Sequence, residues 1–77
     1  MSAPTDSPAA QFAANVVGLR EERKWSKEEA AWACDIHHTA FGRIESGERK
    51  PNLETIFKLA RGFQVPPARL FKGIEQA

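Results

Sequence analysis

Apolar positions along this chain recur every three or four residues, in short blocks separated by polar and proline-containing breaks. That spacing marks amphipathic helices, because residues at i, i+3, i+4 and i+7 share one face of a helix. Phe12, Val16 and Leu19 form the first stripe. Its start is marked by Ser7-Pro8, a serine cap followed by proline at the first helical position. Arg23 and Lys24 close it, cations suited to the negative end of the helix dipole, while Gly18 weakens it by about 1 kcal/mol relative to alanine. A second helix opens at Ser26-Lys27-Glu28-Glu29, a capping box in which the serine hydroxyl takes an orphan amide and the glutamate reaches back. It runs through Ala30, Ala31 and Trp32 to Cys34 and stops near Asp35. A third, about His38 to Glu45, points Phe41 and Ile44 inward and ends at Ser46-Gly47, glycine supplying a left-handed C-cap.

A fourth helix is capped by Asn52, with Leu53, Ile56, Phe57, Ala60 and Phe63 expected on its buried face. Gln64-Val65-Pro66-Pro67 breaks the chain again, and a last short helix, Pro67 to about Lys72, carries Leu70 and Phe71. Strand signals are almost absent, with no sustained alternation and no Asn-Gly turn. The expected fold is all-α: a compact five-helix domain over residues 8–74, after a disordered leader at 1–7 and before a tail at 75–77.

Composition narrows the class. Seventy-seven residues make one domain with a marginal core. The single cysteine, Cys34, rules out an intrachain disulfide and points to a reducing, cytoplasmic setting. With nothing to staple so small a core, self-association is the expected source of further burial. No apolar run approaches the ~18–20 residues that span a bilayer, and Met1 to Pro8 lacks the features of a signal peptide, so no membrane role is expected. A net charge of +1 does not by itself suggest nucleic acid, so the placement of charge matters more than its sum.

Catalytic constellations are missing: no nucleophile–base pair, paired carboxylates or phosphate loop falls at workable spacing, so no enzyme and no cofactor are expected. His37 and His38, with Cys34, invite a metal reading. Adjacent residues at a helix start diverge too far to share a metal, and a fourth ligand at useful spacing is missing, so no metal is expected.

The second and third helices are joined by a very short turn around Asp35-Ile36, the spacing of a helix-turn-helix, whose second helix enters the major groove. Ala31 is small where the two helices cross. Ile36, Phe41 and Ile44 are apolar in the turn and the helix after it, and Ile44-Glu45-Ser46-Gly47 is followed by Arg49-Lys50-Pro51. From Phe12 to Phe71 the chain resembles the phage-repressor/Cro-type helix-turn-helix regulators, the xenobiotic-response-element family. It departs from that pattern in five places, one of them Lys27, where glutamine is common at the start of the second helix. Asp35 stands for the usual turn glycine, Ala30 for a leucine-like core residue, His37 for a capping serine or threonine, and Gly42 for a polar residue.

The resemblance implies a DNA-binding transcription regulator, a homodimer acting as repressor or autoregulator on a pseudo-palindromic operator. Small members of this kind include restriction-modification controller proteins, antitoxins, and phage or plasmid regulators. His37, His38, Thr39, Gly42 and Arg43 would face the bases, Arg43 being suited to guanine O6 and N7. Lys27, Ser46, Arg49 and Lys50 would meet phosphates, Lys27 from a helix N-terminus. Arg20 and Glu45 match a partly buried family ion pair, and the dimer surface is expected at Pro67, Leu70, Phe71 and Ile74. Glu28 stands where some phage repressors touch the RNA polymerase sigma subunit. Trp32 is a large aromatic at a position usually polar, either filling volume beside Ala30 or forming part of a partner surface. The alternative function is a protein-interaction module on the same fold that has lost operator reading.

Overall fold

A computed structural model describes residues 7–74; the rest of the expected leader, residues 1–6, and the tail at 75–77 lie outside the described residues. The order is α1 (Pro8–Glu22), α2 (Lys27–Ala33), α3 (His38–Ser46), α4 (Leu53–Phe63) and a 3-10 helix at Pro67–Phe71. Each α-helix begins where a side chain supplies an acceptor. Ser7 Oγ accepts from the Ala10 amide at 3.0 Å, and Asn52 Oδ1 from Thr55 at 2.8 Å. At α2 the capping box is complete: Ser26 Oγ accepts from the Glu29 amide at 3.0 Å, and Glu29 Oε1 accepts from the Ser26 amide at 2.7 Å. These bonds satisfy amides that the helices cannot pair internally.

Phe12, Val16 and Leu19 of α1 meet Ala30, Ala31 and Cys34, Phe41 and Ile44, Leu59, Ala60 and Phe63, and Leu70 in one core. α3 packs between α1 and α2, α4 lies against α2, and the 3-10 helix bridges α1 and α4. Asn15 fastens that last bridge, its amide donating to the carbonyls of Leu70 at 2.7 Å and Lys72 at 2.8 Å. Trp25, in the α1–α2 loop, stacks on Phe63 with centroids 5.9 Å apart. The Arg23 guanidinium covers both rings and donates to the Phe63 carbonyl at 2.6 Å.

Two expectations change. The fifth element is not an α-helix but a five-residue 3-10 helix, shut in by Pro66 before it and by Gly73, at φ +82°, after it. So short a segment closes i→i+3 bonds more readily than an α ladder. The buried face of α4 is also rotated. Leu59 is fully buried, while Leu53 is 69% and Phe57 48% exposed. α4 has two adjacent apolar stripes, and α2 selects the one that includes Leu59. It does so by coming unusually close. A Cβ on Gly62 would stand 2.4 Å from Cys34 Sγ, 2.6 Å from Cys34 Cα and 2.9 Å from the Ala33 carbonyl oxygen.

Candidate nucleic-acid interface

The turn between α2 and α3 is tight because Asp35 adopts φ +57°, a left-handed conformation that aspartate tolerates better than most residues. The chain can then turn within the four residues between α2 and α3 while keeping its amides bonded, Asp35 to Trp32 and Ile36 to Ala31. Ile36 is half-buried against the core and anchors the reversal. α3 opens with an unusual cap, in which His37 Nδ1 accepts from the Thr39 amide at 3.2 Å. A ring nitrogen thus takes the place of a hydroxyl, and the bond calls for the tautomer protonated at Nε2. His38 stacks on His37, ring centroids 4.6 Å apart.

Phe41 and Ile44 bury the inner side of α3. At 100° per residue, the opposite side presents Thr39, Arg43 and Ser46, with Gly42 beside them. All are exposed except Gly42, which is half-buried yet has open space where a Cβ would stand. Ser46 is engaged locally, its hydroxyl donating to the Arg43 carbonyl at 3.1 Å and accepting from the Glu48 amide at 3.4 Å. Gly47, at φ +82°, ends the helix and turns the chain, so that the amides of Glu48 and Arg49 both bond the Arg43 carbonyl. That turn brings the start of the Arg49-Lys50 segment back to the end of α3.

The electrostatics of α3 follow from its underside. Its one acid, Glu45, lies with its side chain only 4% exposed, and Arg20 Nε donates to its Oε2 at 2.6 Å. Arg20 also donates through Nη1 to the Trp25 carbonyl at 3.0 Å, so the guanidinium is fixed at both ends. The negative charge of α3 is therefore neutralised beneath the helix. Arg43 makes no ion pair among the described residues, nor do the exposed Lys27, Arg49 and Lys50. The outer side of α3 and the loop after it are left positive.

Cys34 belongs to the core and not to this surface. Its Sγ lies 3.9 Å from the Leu59 carbonyl, and burial pushes the thiol up to about 11, partly opposed by Arg23. The two imidazoles stack in the open at the other end of the turn. Among the described residues no three His, Cys, Asp or Glu side chains group as a metal site would require.

The residues expected at a dimer surface separate. Leu70 is fully buried and has no surface to offer a partner, a correction that follows from its place beneath α1 and α4. Phe71 is exposed, its ring 5.4 Å from Phe12, and with Ile74, Pro51, Ile56 and Lys50 it lines a cleft of about 320 Å³. Pro67 is half-buried. Sequence reading missed Leu53 and Phe57 as surface residues, because their spacing suits a buried stripe equally well.

A family model described as Helix-turn-helix (HTH_3) matches residues 19–70, from the end of α1 to the 3-10 helix. The chain belongs to that family. Its members here are transcription regulators and not enzymes. It is 34% identical over 64 residues to the cryptic phage CTXphi transcriptional repressor RstR of Vibrio cholerae, covering 83% of this chain and 58% of that protein. It is 38% identical over 45 residues to the control protein C.BamHI of Bacillus amyloliquefaciens, covering 58% and 56%. With the HTH-type transcriptional regulator SutR of Escherichia coli it shares 38% over 48 residues, 62% of this chain but 27% of that one. The chain thus spans less than three-fifths of the length of each of these relatives.

Among solved structures, the restriction-modification controller protein C.AhdI from Aeromonas hydrophila superposes with a TM-score of 0.79 at 28% identity, covering 82% of this chain and 96% of that one. The hypothetical transcription factor NHTF from Neisseria does so with 0.82 at 26%, covering 92% and 83%.

Proposed function

We propose that this protein binds double-stranded DNA sequence-specifically and regulates transcription, as a homodimer on a pseudo-palindromic operator. The observation that carries this reading is the asymmetry of α3. Its acid is locked beneath by Arg20, while Arg43 stands outward, unpaired among the described residues and next to open space at Gly42. Arg43 reads a guanine in the major groove, with Thr39, His37 and His38 beside it and Gly42 admitting the base edges closely. Lys27, Ser46, Arg49 and Lys50 hold the flanking phosphates. The relatives named as repressor and control proteins support a repressor or autoregulator.

One copy reads only a half-site, and half-sites recur about 34 Å apart, one helical turn. The exposed apolar residues Leu53, Phe57 and Phe71, with the half-buried Ile74 beside them, supply the surface for a second copy, in place of the Leu70-centred one expected from sequence. Glu28 is exposed on α2, as a polymerase contact would require, and rests on the resemblance alone. No helix among the described residues is long and apolar enough to cross a membrane.

Selection from a random duplex pool, with sequencing of the retained DNA, tests the reading. A two-fold-symmetric motif is expected, with log K falling by roughly 0.9 per phosphate neutralised as log salt rises. Enrichment of nothing above background, even at low salt, would replace this function with that of an interaction module.

A further inference from the structure

α1, α2 and α4 are capped by oxygens, those of Ser7, Ser26 and Asn52, which keep their lone pairs at any working pH. α3 is capped by a group that titrates. His37 Nδ1 accepts from the Thr39 amide at 3.2 Å, which requires a ring without a proton at Nδ1. Imidazolium has no free lone pair, so a proton there removes the acceptor and turns a second donor toward the amide. It also sets a positive charge against the positive end of the helix dipole. His38, stacked on His37 with ring centroids 4.6 Å apart, adds a like charge once it too is protonated.

His37 is exposed, so protons reach it freely. From α2 and the turn, Ala31, Trp32, Asp35 and Ile36 share a hollow with it, and Asp35 is the one charged group among them. Asp35 is exposed and makes no ion pair with His37 among the described residues, so it holds an imidazolium only weakly. Trp32, 86% exposed, fills no core volume and brings no charge. Lys27, Glu28 and Glu29 lie in the first turn of α2, at its far end. From α1 the charge at α3 is Arg20, committed to Glu45 on the inner side, and Arg43 stands in the last turn of α3 itself. α3 also leans heavily on its cap, having β-branched Thr39 and Ile44 and, in its middle, Gly42. We propose that His37 is a proton-operated clamp on α3. Neutral, it holds the first turn of the helix, including Thr39; protonated, it releases that turn. The clamp belongs to the free chain, so it stands whether or not α3 reads an operator, and it is tested without DNA.

Long-range proton–nitrogen NMR on the full chain reads the tautomer directly. At pH 8 the His37 ring is expected to be bare at Nδ1 and protonated at Nε2; a proton found at Nδ1 would overturn the proposal. As pH falls from 8 to 5, the range in which imidazoles take up charge, the Thr39 amide resonance should move with the same midpoint as the His37 ring. His37→Asn supplies a capping oxygen that does not titrate and leaves His38 in place. In that variant the Thr39 resonance should hold still, and a shift as large as in the wild type would belong to His38 and sink the clamp. Stability carries the same sign: the neutral ring caps and the charged ring does not, so the contribution is full at pH 8 and lost toward pH 5. Over that interval the melting temperature should fall by about 4–8 °C more in the wild type than in His37→Asn, the loss expected for one helix cap. Equal falls in the two proteins would overturn the proposal as well.

Discussion

Two helix junctions hold α2 and α3 in place, and they are built by opposite means. Where α1 meets α3, Arg20 and Glu45 join across the interface at 2.6 Å, almost closed to solvent. Where α2 meets α4, atoms have been removed, Gly62 leaving room for the Cys34 and Ala33 backbone to come within the space of a missing Cβ. The first junction holds by matched charge and the second by shape. An ion pair specifies one register strongly because a stranded charge is so unfavourable. A close backbone crossing specifies one distance, because protein interiors yield little to an added atom.

The largest expected effect comes from breaking the charged junction. Arg20→Ala strands Glu45 in a nearly closed site and should destabilise the fold by about 3–5 kcal/mol, with a loss in melting temperature of roughly 4–8 °C per kcal/mol. Thermal unfolding followed by circular dichroism measures it, and an unchanged curve would show the pair to be dispensable. Gly62→Ala tests the other junction and should destabilise by about 1–3 kcal/mol, the range of overpacked cores. Two of the three atoms it meets are backbone and cannot rotate away. Combining it with Cys34→Ala should therefore recover only part of the loss; full recovery would mean that the sulfur alone makes the crossing tight.

Alkaline pH discriminates between the junctions without changing their packing. Burial raises the Cys34 thiol from 9.0 to about 11, so the folded chain keeps a proton that the unfolded chain releases. Stability from this group is full below pH 9 and is lost as pH rises through 9 toward 11, by roughly 1–3 kcal/mol. Urea titrations at pH 8 and pH 10.5 should show that drop in the wild type and a smaller one in Cys34→Ala. Equal drops in the two proteins would mean that the thiol is not shielded at the α2–α4 junction.

What the sequence made legible follows the same division. The Ser7, Ser26 and Asn52 caps and the Gly47 stop depend on residues within four positions of each other, and the structure has each of them. Asp35 in the left-handed turn was readable for the same local reason. Arg20 and Glu45 are 25 residues apart and were matched only through the family pattern, as two charges with complementary signs. The α2–α4 crossing had no comparable marker. Gly62 looks like any glycine near a helix end, and Leu53, Ile56, Phe57, Leu59, Ala60 and Phe63 offer two apolar stripes about 60° apart. Choosing Leu59 over Leu53 and Phe57 requires knowing where α2 lies, which local periodicity does not contain. The same gap put Leu70 on a dimer surface instead of in the core. Trp32 was left open between core and surface, because its exposure is likewise decided by where the neighbouring helices pack.

Gly42 sharpens the contrast with Gly62 and carries the smallest expected change. Both glycines sit inside helices, but no atom lies within 4 Å of a Cβ built at Gly42. Alanine there should fit without strain and stabilise the fold by about 0.5–1 kcal/mol, since glycine is the poorer helix former. If α3 also approaches DNA closely at this point, the same variant should weaken retention of the selected operator while raising the melting temperature. The two readouts then move in opposite directions, which separates a glycine kept for its ligand from one, like Gly62, kept for its neighbour in the fold. A rise in stability with unchanged DNA binding would place the base edges further out, at Arg43 and Thr39, and leave Gly42 without a role in reading them.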